Sequence, residues 1–530
     1  MYLNKITQYL NQHLVGNVYD QPAILAAYAS DRSILRVMPR FVALPQNTAD
    51  VSFLLNFAHD FAKKGLKLPI SVRGSGLDFT GASLSNGLLI STEKLNQIQE
   101  IDEHSRLVRV QAGVTLNQLN AALATYNLSI PMSSSGQATI GGLISGFNYD
   151  QTAQKHGGIL NFIDRIEVVL SNGDLLQSVK LTPRGLKRLF KNSDSTESNI
   201  YSSVYNLIKN RFELIDELQD ATPTFAGYRM ITEVENSRRE FDLLPLFLAS
   251  NGSLGVITEI ILRCEPTPRS AQTVVLEFES LKAVISAAKT IKRLAPLAID
   301  LVDNRILTES TNNGKSLPFE RKISPHGYTV GVKLNDHPLS VRRKIRQLKK
   351  LPSRQFFILQ DQKINDFAFD KVLLNYFNSD PFKRRTPLID NVSIDLAQLS
   401  QFATDLANLE TKIGQTLPIF GSLSNDLYSV RPKFNLSNPF DRREALHFMQ
   451  QYTKLVTDNY GSISGGGNDG RVKAAFCNKQ FSARELELYR EIKQIFDPQN
   501  ILNPDAKLES NLSKLIRYLN TGQNPTIIDF

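Results

Sequence analysis

The 530-residue sequence predicts an α+β fold in two main domains. Three observations carry that prediction. Apolar residues recur at helical spacing in some segments and alternate in others. Up to about residue 267, short strands end in glycine-rich loops. From about 268 those loops stop and strand–helix–strand units begin, which suits an antiparallel sheet with helices on one face.

Taken in order, MYLNKITQYLNQHL sets Leu3, Ile6, Leu10 and Leu14 at helical spacing but interrupts them with Asn, Gln and Lys. It lacks a secretory h-region, so the expected location is cytoplasmic. Residues 47–65 read as a helix with Thr48 and Asp50 as caps and Gly65 as its stop. A strand KLPISV follows, then RGSGLDFTGAS at 73–83, GLLIST, the alternating strand RLVRVQAG and a helix at 115–126 opened by Thr115. In the second domain TVVLEFE, helix 280–294 and AIDLVD form one unit, and YTVGVKL, helix 339–350 and QFFILQ a second. NVSIDL, helix 397–413 and LPIFGSL form a third. The predicted boundaries are 1–267, 268–482, a returning segment 483–508 that holds a final helix and FDPQNILNPDAK, and a tail 509–530.

Composition narrows the chemistry. Hydrophobic residues make up 42% and charged residues 21%, as in folded proteins rather than disordered ones. Cys264 and Cys477 cannot supply an iron–sulfur cluster or a four-thiolate zinc site, and no two of the seven histidines have helical metal-motif spacing. Redox chemistry would therefore need an organic cofactor. The most apolar runs, such as LLPLFLA at 243–249, fall far short of the ~18 residues that span a bilayer. The stripe VRRKIRQLKK at 341–350 reads as a solvated helix face, with an anionic membrane surface or nucleic acid as the other readings. Nucleic acid is not expected as a partner overall; a peripheral contact with the inner membrane face stays open.

RGSG at 73–76 follows a strand but precedes no helix, so it fails the context of a nicotinamide-type fingerprint. Two more clusters lie in the same domain: ATIGGLISG at 138–146, ending in HGG at 156–158, and SNGSLGVITE at 250–259. Glycines let backbone N–H groups approach an anion closely. One such cluster is a tight turn; three in one domain imply one large phosphate-bearing ligand.

The succession RGSGLDFTG, GLLISTEKLNQIQEID, VRVQAGVTLNQLNAAL, PMSSSGQATIGG, HGG, FIDRIEVVLSNGDLL, SNGSLGVITE and FDPQNILNPDAK resembles the FAD-binding D-lactate/glycolate dehydrogenase family. That family lies within the vanillyl-alcohol-oxidase group, and the likeness runs from about residue 25 to 508. It implies a two-subdomain FAD-binding domain of the PCMH type and a ferredoxin-like antiparallel-sheet cap domain. Carried over by position, Arg73, Gly74, Ser75 and Gly76 match the diphosphate loop, and Thr139, Gly141 and Gly142 the second phosphate loop. Gly157 matches the glycine that closes the following insertion, and Gly252, Gly255, Val256 and Thr258 match the segment that in the family lies along the flavin and adenine. Leu77 and Asp78 stand where small polar residues are usual, and Asn251 replaces a usual Glu. No His or Cys sits at a covalent-attachment position, so FAD is expected to be non-covalent.

The family's chemistry is altered. Its metal-binding histidines, Glu and histidine base align with Ser422, Ser429, Gly466 and Gly467, so no metal is expected. Tyr428 and Asp469 are the candidate catalytic residues, and Arg384, Arg385, Arg471 and Lys473 the candidate substrate-binding residues. An arginine fork suits a carboxylate. The expected function is an FAD-dependent oxidoreductase acting on a CH–OH group of a small molecule, passing electrons to oxygen, a quinone or a redox protein. The competing reading is a flavin-binding pseudoenzyme that serves as a scaffolding subunit.

Overall fold

Asn47 opens the first long helix, Thr48–Lys63, because its side chain accepts the Asp50 N–H at 2.8 Å. Thr48 and Asp50, the caps expected from sequence, lie inside the helix. The Asp50 carboxylate instead accepts from the N–H groups of Val15, Gly16 and Gln46, each at 2.9 Å, and so ties the amino-terminal segment to the helix. Thr115 does cap its helix, Leu116–Ala124, in a reciprocal capping box with Gln118. The computed structural model describes residues 2–521 apart from 133–134, 147–154, 156–157, 192–194, 220, 222–223, 269, 313–322, 360–368, 379–384, 467 and 509. Gly157, Arg384, Gly467 and residues 522–530 of the tail lie outside the described residues.

Two sheets build the first domain. One has four strands in the order Asn17–Tyr19, Phe41–Leu44, Leu88–Ser91 and Ile70–Arg73, the last three parallel. Helix Thr48–Lys63 covers it through Val51, Leu54, Leu55 and Ala58. The other is antiparallel with five strands: Ile98–Asp102, Leu107–Gln111, Val256–Arg263, Ile163–Val169 and Leu175–Gln177. Helices Thr196–Asn210 and Ala483–Phe496 share its core, the latter through Leu488, Tyr489, Ile492 and Phe496. The returning segment is thereby part of the first domain's packing, and its Asn503 N–H donates to the Ile70 carbonyl at 2.6 Å.

The second domain is a seven-stranded antiparallel sheet in the order Gln355–Leu359, Ser270–Phe278, Tyr328–Asp336, Ala298–Asp303, Phe420–Ser422, Leu427–Ser429 and Val392–Ser393. Helices Leu281–Arg293, Pro338–Leu348, Leu399–Ile413 and Pro439–Asp458 cover one face. The expectation of helices on one face only needs correction. Helices Asn304–Asn312 and Asp370–Phe377 pack on the opposite face through Ile306, Leu307, Val372 and Tyr376, against Val275, Val302 and Phe420. That face is apolar at these positions and demands cover. Helix Pro338–Leu348 turns Val341 and Leu348 inward and leaves Arg342, Arg343 and Arg346 exposed. Among the described residues no helix is long and apolar enough to cross a membrane.

The domains meet at a buried ion pair. Lys507 Nζ lies 3.1 Å from Asp469 Oδ2, with side chains 1% and 0% exposed. Asp469 also accepts the Gly227 N–H at 2.8 Å and the Ser464 hydroxyl at 2.6 Å, while Lys507 donates to the Phe225 carbonyl at 3.0 Å. Lys507→Met strands the carboxylate without its counter-charge, and the expected loss in urea unfolding is about 3–5 kcal/mol. A change below about 1 kcal/mol would contradict the role given to this pair.

Candidate functional site

Three glycine loops that are far apart in sequence close on one open cleft. Its walls are 74–78 after strand Ile70–Arg73, 138–146 around the short helix Ile140–Ser145, and 251–257 at the start of strand Val256–Arg263.

The cleft walls have the properties that a diphosphate requires. Among the described residues, the N–H groups of Ser75, Gly76 and Leu77 meet no protein acceptor, although their loop lines the cleft. Thr139 caps its helix by accepting the Gly142 N–H at 3.2 Å. A Cβ on Gly74 would lie 2.2 Å from Thr139 Oγ1, so glycine there lets the first two loops touch. On Gly142 a Cβ would meet only that same oxygen, at 2.9 Å, and anything larger would extend into the cleft. The residues therefore fit a long dinucleotide such as FAD, held by backbone amides with little side-chain intrusion.

The positions matched from sequence divide. Gly74, Ser75, Gly76, Thr139, Gly141, Gly142, Gly252, Gly255 and Val256 all line this cleft. Arg73 instead turns its guanidinium to the Ser30 carbonyl at 2.8 Å and over the Tyr28 ring. Thr258 is fully buried and donates to Glu167 at 2.9 Å, behind the wall rather than in it.

The candidate catalytic and substrate residues are placed differently from the sequence expectation. Tyr428 pairs with Gly421, which pairs with Leu301, so it points into the core under the helices. Its hydroxyl is buried without a hydrogen-bond partner among the described residues, and burial holds its pKa far above the usual tyrosine value. Asp469 is spent in the ion pair described above. Arg471 donates to the carbonyls of Gly81 and Pro504 and to Asn503 Oδ1, at 2.9, 3.3 and 2.7 Å, stapling the first domain to the returning segment. Lys473 donates to the carbonyls of Asp390 and Gly466 at 2.6 and 3.3 Å, and burial pulls its pKa down. Arg385 pairs with Glu309 at 2.6 Å beneath the Tyr376 ring, its side chain 2% exposed.

Other residues face the domain junction. Arg431 forms an ion pair with Asp390 at 2.5 Å and sits 3.8 Å from the Phe377 ring centroid and 4.8 Å from that of Phe79, which belongs to the first cleft loop. Beside that loop, buried Asp31 accepts from the Ser33 N–H at 2.9 Å and the Ser83 hydroxyl at 2.8 Å. Burial, with the Asp78 carboxylate nearby, pushes Asp31 up to about 7. Asp78 lines the cleft and is also raised by burial. The sequence signal for Asp78 was an acid inside a glycine loop.

Two outcomes follow. Gly142→Leu fills the cleft without entering a core, so the expected result is a folded chain that fails to retain FAD; retention at wild-type level would contradict this placement. Because the folded pKa of Asp31 lies above its unfolded value, the native state keeps a proton that the unfolded chain has lost, and stability falls as pH rises from about 4 to about 7. Asp31→Asn removes that cost. Its melting temperature should exceed the wild type's at pH 8, by at least about 1 kcal/mol in stability, and the gain should shrink toward pH 4. A gain independent of pH would contradict the assignment.

Comparison with known proteins agrees with this geometry. Residues 39–178 match the FAD binding domain model and residues 267–506 the model of the FAD linked oxidases, C-terminal domain. The chain is 24% identical over 516 residues to D-2-hydroxyglutarate dehydrogenase of Pantoea ananatis, covering 93% of this chain and 50% of that one. The chain thus spans about half the length of the D-2-hydroxyglutarate dehydrogenases it matches. A D-lactate dehydrogenase of Archaeoglobus fulgidus is 23% identical over 487 residues, 90% of this chain and 94% of the relative. Among solved structures, 4-ethylphenol oxidase from Gulosibacter chungangensis superposes with a TM-score of 0.67 at 13% identity over 97% of each chain. Alkyldihydroxyacetonephosphate synthase superposes with a TM-score of 0.64 at 16% identity, over 94% of this chain and 84% of the other. With an FAD-binding domain, a C-terminal oxidase domain and a cleft built for a dinucleotide between three glycine loops, the chain belongs to the FAD-linked oxidases related to the D-lactate and D-2-hydroxyglutarate dehydrogenases.

Proposed function

We propose that the chain is an FAD-dependent oxidoreductase that oxidises a CH–OH carbon of a small hydroxylated acid. The observation that carries this reading is the cleft itself: three glycine loops of the first domain wall it, and its lining includes Asn251, which meets Asn468 of the second domain at 2.7 Å. FAD, when bound, supplies a two-electron acceptor for hydride. The names of the relatives support a 2-hydroxy acid as the substrate class. The chain's own residues hold the diphosphate on backbone amides, and close the junction with Phe79 packed on the Arg431–Asp390 pair.

The reading includes oxidation without a divalent metal. Ser422 and Ser429 stand where the family resemblance implies metal-binding histidines, and their hydroxyls are spent inside the sheet. Ser422 donates to the Ile299 carbonyl at 3.1 Å; Ser429 accepts the Asn391 N–H at 2.8 Å and donates to its Oδ1 at 3.2 Å. Gly466 has no side chain to offer. Oxygen, a quinone or a redox protein would complete turnover; within this chain Cys264 and Cys477 are both buried and too few to ligate a cluster.

The test is anaerobic mixing of the FAD-loaded chain with a panel of 2-hydroxy acids, other alcohols and sugars, with and without chelator. At least one hydroxy acid should bleach the flavin absorbance at a rate that chelator leaves unchanged. Failure of the whole panel would count against the enzyme reading. Bleaching that chelator abolishes and zinc or manganese restores would overturn the metal-free part.

A further inference from the structure

Lys507 fixes the orientation of two amides as well as the junction. An ammonium has donors only, so the Asn468 atom it meets is the oxygen, which also accepts the Asp469 N–H at 2.9 Å. The Asn468 nitrogen is thereby turned to the Ala249 carbonyl and to Asn251, whose Oδ1 it reaches at 2.7 Å. That contact commits the oxygen of Asn251 and leaves its Nδ2 without a partner among the described residues, on a residue 7% exposed that lines the cleft. Unpaired buried amide donors are uncommon in folded proteins and point to a missing acceptor. The backbone of Asn251 is also pinned: its N–H donates to the Ser145 carbonyl at 2.9 Å, and its own carbonyl accepts from Asn503 Nδ2 at 2.6 Å.

Asn468 belongs to the second domain, so Asn251 lies at the end of the cleft that meets that domain. On the FAD reading, that end is where the flavin ring would meet a substrate held by the second domain. Resting on the FAD reading above, we propose that Asn251 Nδ2 donates a hydrogen bond to the flavin ring system, with its polarity dictated through Asn468 by Lys507. A reduced flavin holds two more electrons than the oxidised form, so an N–H donor aimed at the ring favours the reduced form. The contact raises the reduction potential.

The experiment is the midpoint potential and dissociation constant of bound FAD in the wild type, Asn251→Asp and Asn251→Gly. Asn251 has φ +54°, and Asp and Gly both tolerate that left-handed backbone. Aspartate keeps the acceptor that Asn468 needs but puts an anionic oxygen where the N–H was; glycine removes the group. The expected order of potentials is wild type above Gly above Asp. The Asp variant should shift the oxidised-to-reduced ratio at least tenfold, about 30 mV for a two-electron couple. Release of FAD by the Asp variant with an unchanged melting profile also supports the contact, because the new acceptor repels the ring. If Asp fails to fold, the Gly variant decides. Potentials and dissociation constants within twofold equivalents of wild type in every variant that folds would overturn the proposal. A wild-type chain that binds no FAD would defeat the cofactor reading and this contact together, an outcome distinguishable because it appears before any substitution is made.

Discussion

The Asp469–Lys507 pair joins the second domain to the returning segment at a point that water does not reach, with Gly227 and Phe225 of the first domain completing its hydrogen bonds. A buried charge is tolerable only when its partner is held in place, so this pair obliges three distant stretches of chain to meet. Its neighbours inherit that constraint. Gly470, at φ +52°, brings helix Gly470–Cys477 against the first cleft loop so closely that a Cβ would lie 2.1 Å from Thr80 Oγ1. Val472 N–H then bonds the Thr80 carbonyl at 2.9 Å. The cofactor loop and the second domain are thus docked as one piece.

This docking explains why the polar residues of 468–473 do not read as catalytic in three dimensions. Asp469, Arg471 and Lys473 are each surrounded by carbonyls, amides or an opposite charge, and each is less than a tenth exposed. They hold the junction. What remains for chemistry is the cleft that the glycine loops leave open, whose lining includes Asn251 and Asp78, the latter with its carboxylate bonded to Thr80 and Ala82.

The glycine loops were legible in the sequence because their requirement is local: a backbone has to approach a neighbour or a ligand, and only glycine permits it. Helix and strand positions were legible for a similar reason, through their periods. Tyr428 was misplaced because strand parity is set by pairing, not composition. Ser429 pairs with Phe420, beside Val302, and so belongs to the face covered by Asn304–Asn312 and Asp370–Phe377, whereas Tyr428, one residue away, faces the opposite core. In the sequence Asn251 stands out only as a departure from a usual Glu, since its partner Asn468 lies far along the chain. Asp31 and Asp78 acquire their raised pKa values only when folding buries them side by side.

That the three loops together form one FAD site is tested by the flavin content of the purified protein: acid release followed by chromatography, with titration of FAD into any fraction that lacks it. One FAD per chain, released by acid without covalent residue, is the predicted result. A colourless chain that shows no saturable FAD binding would contradict it.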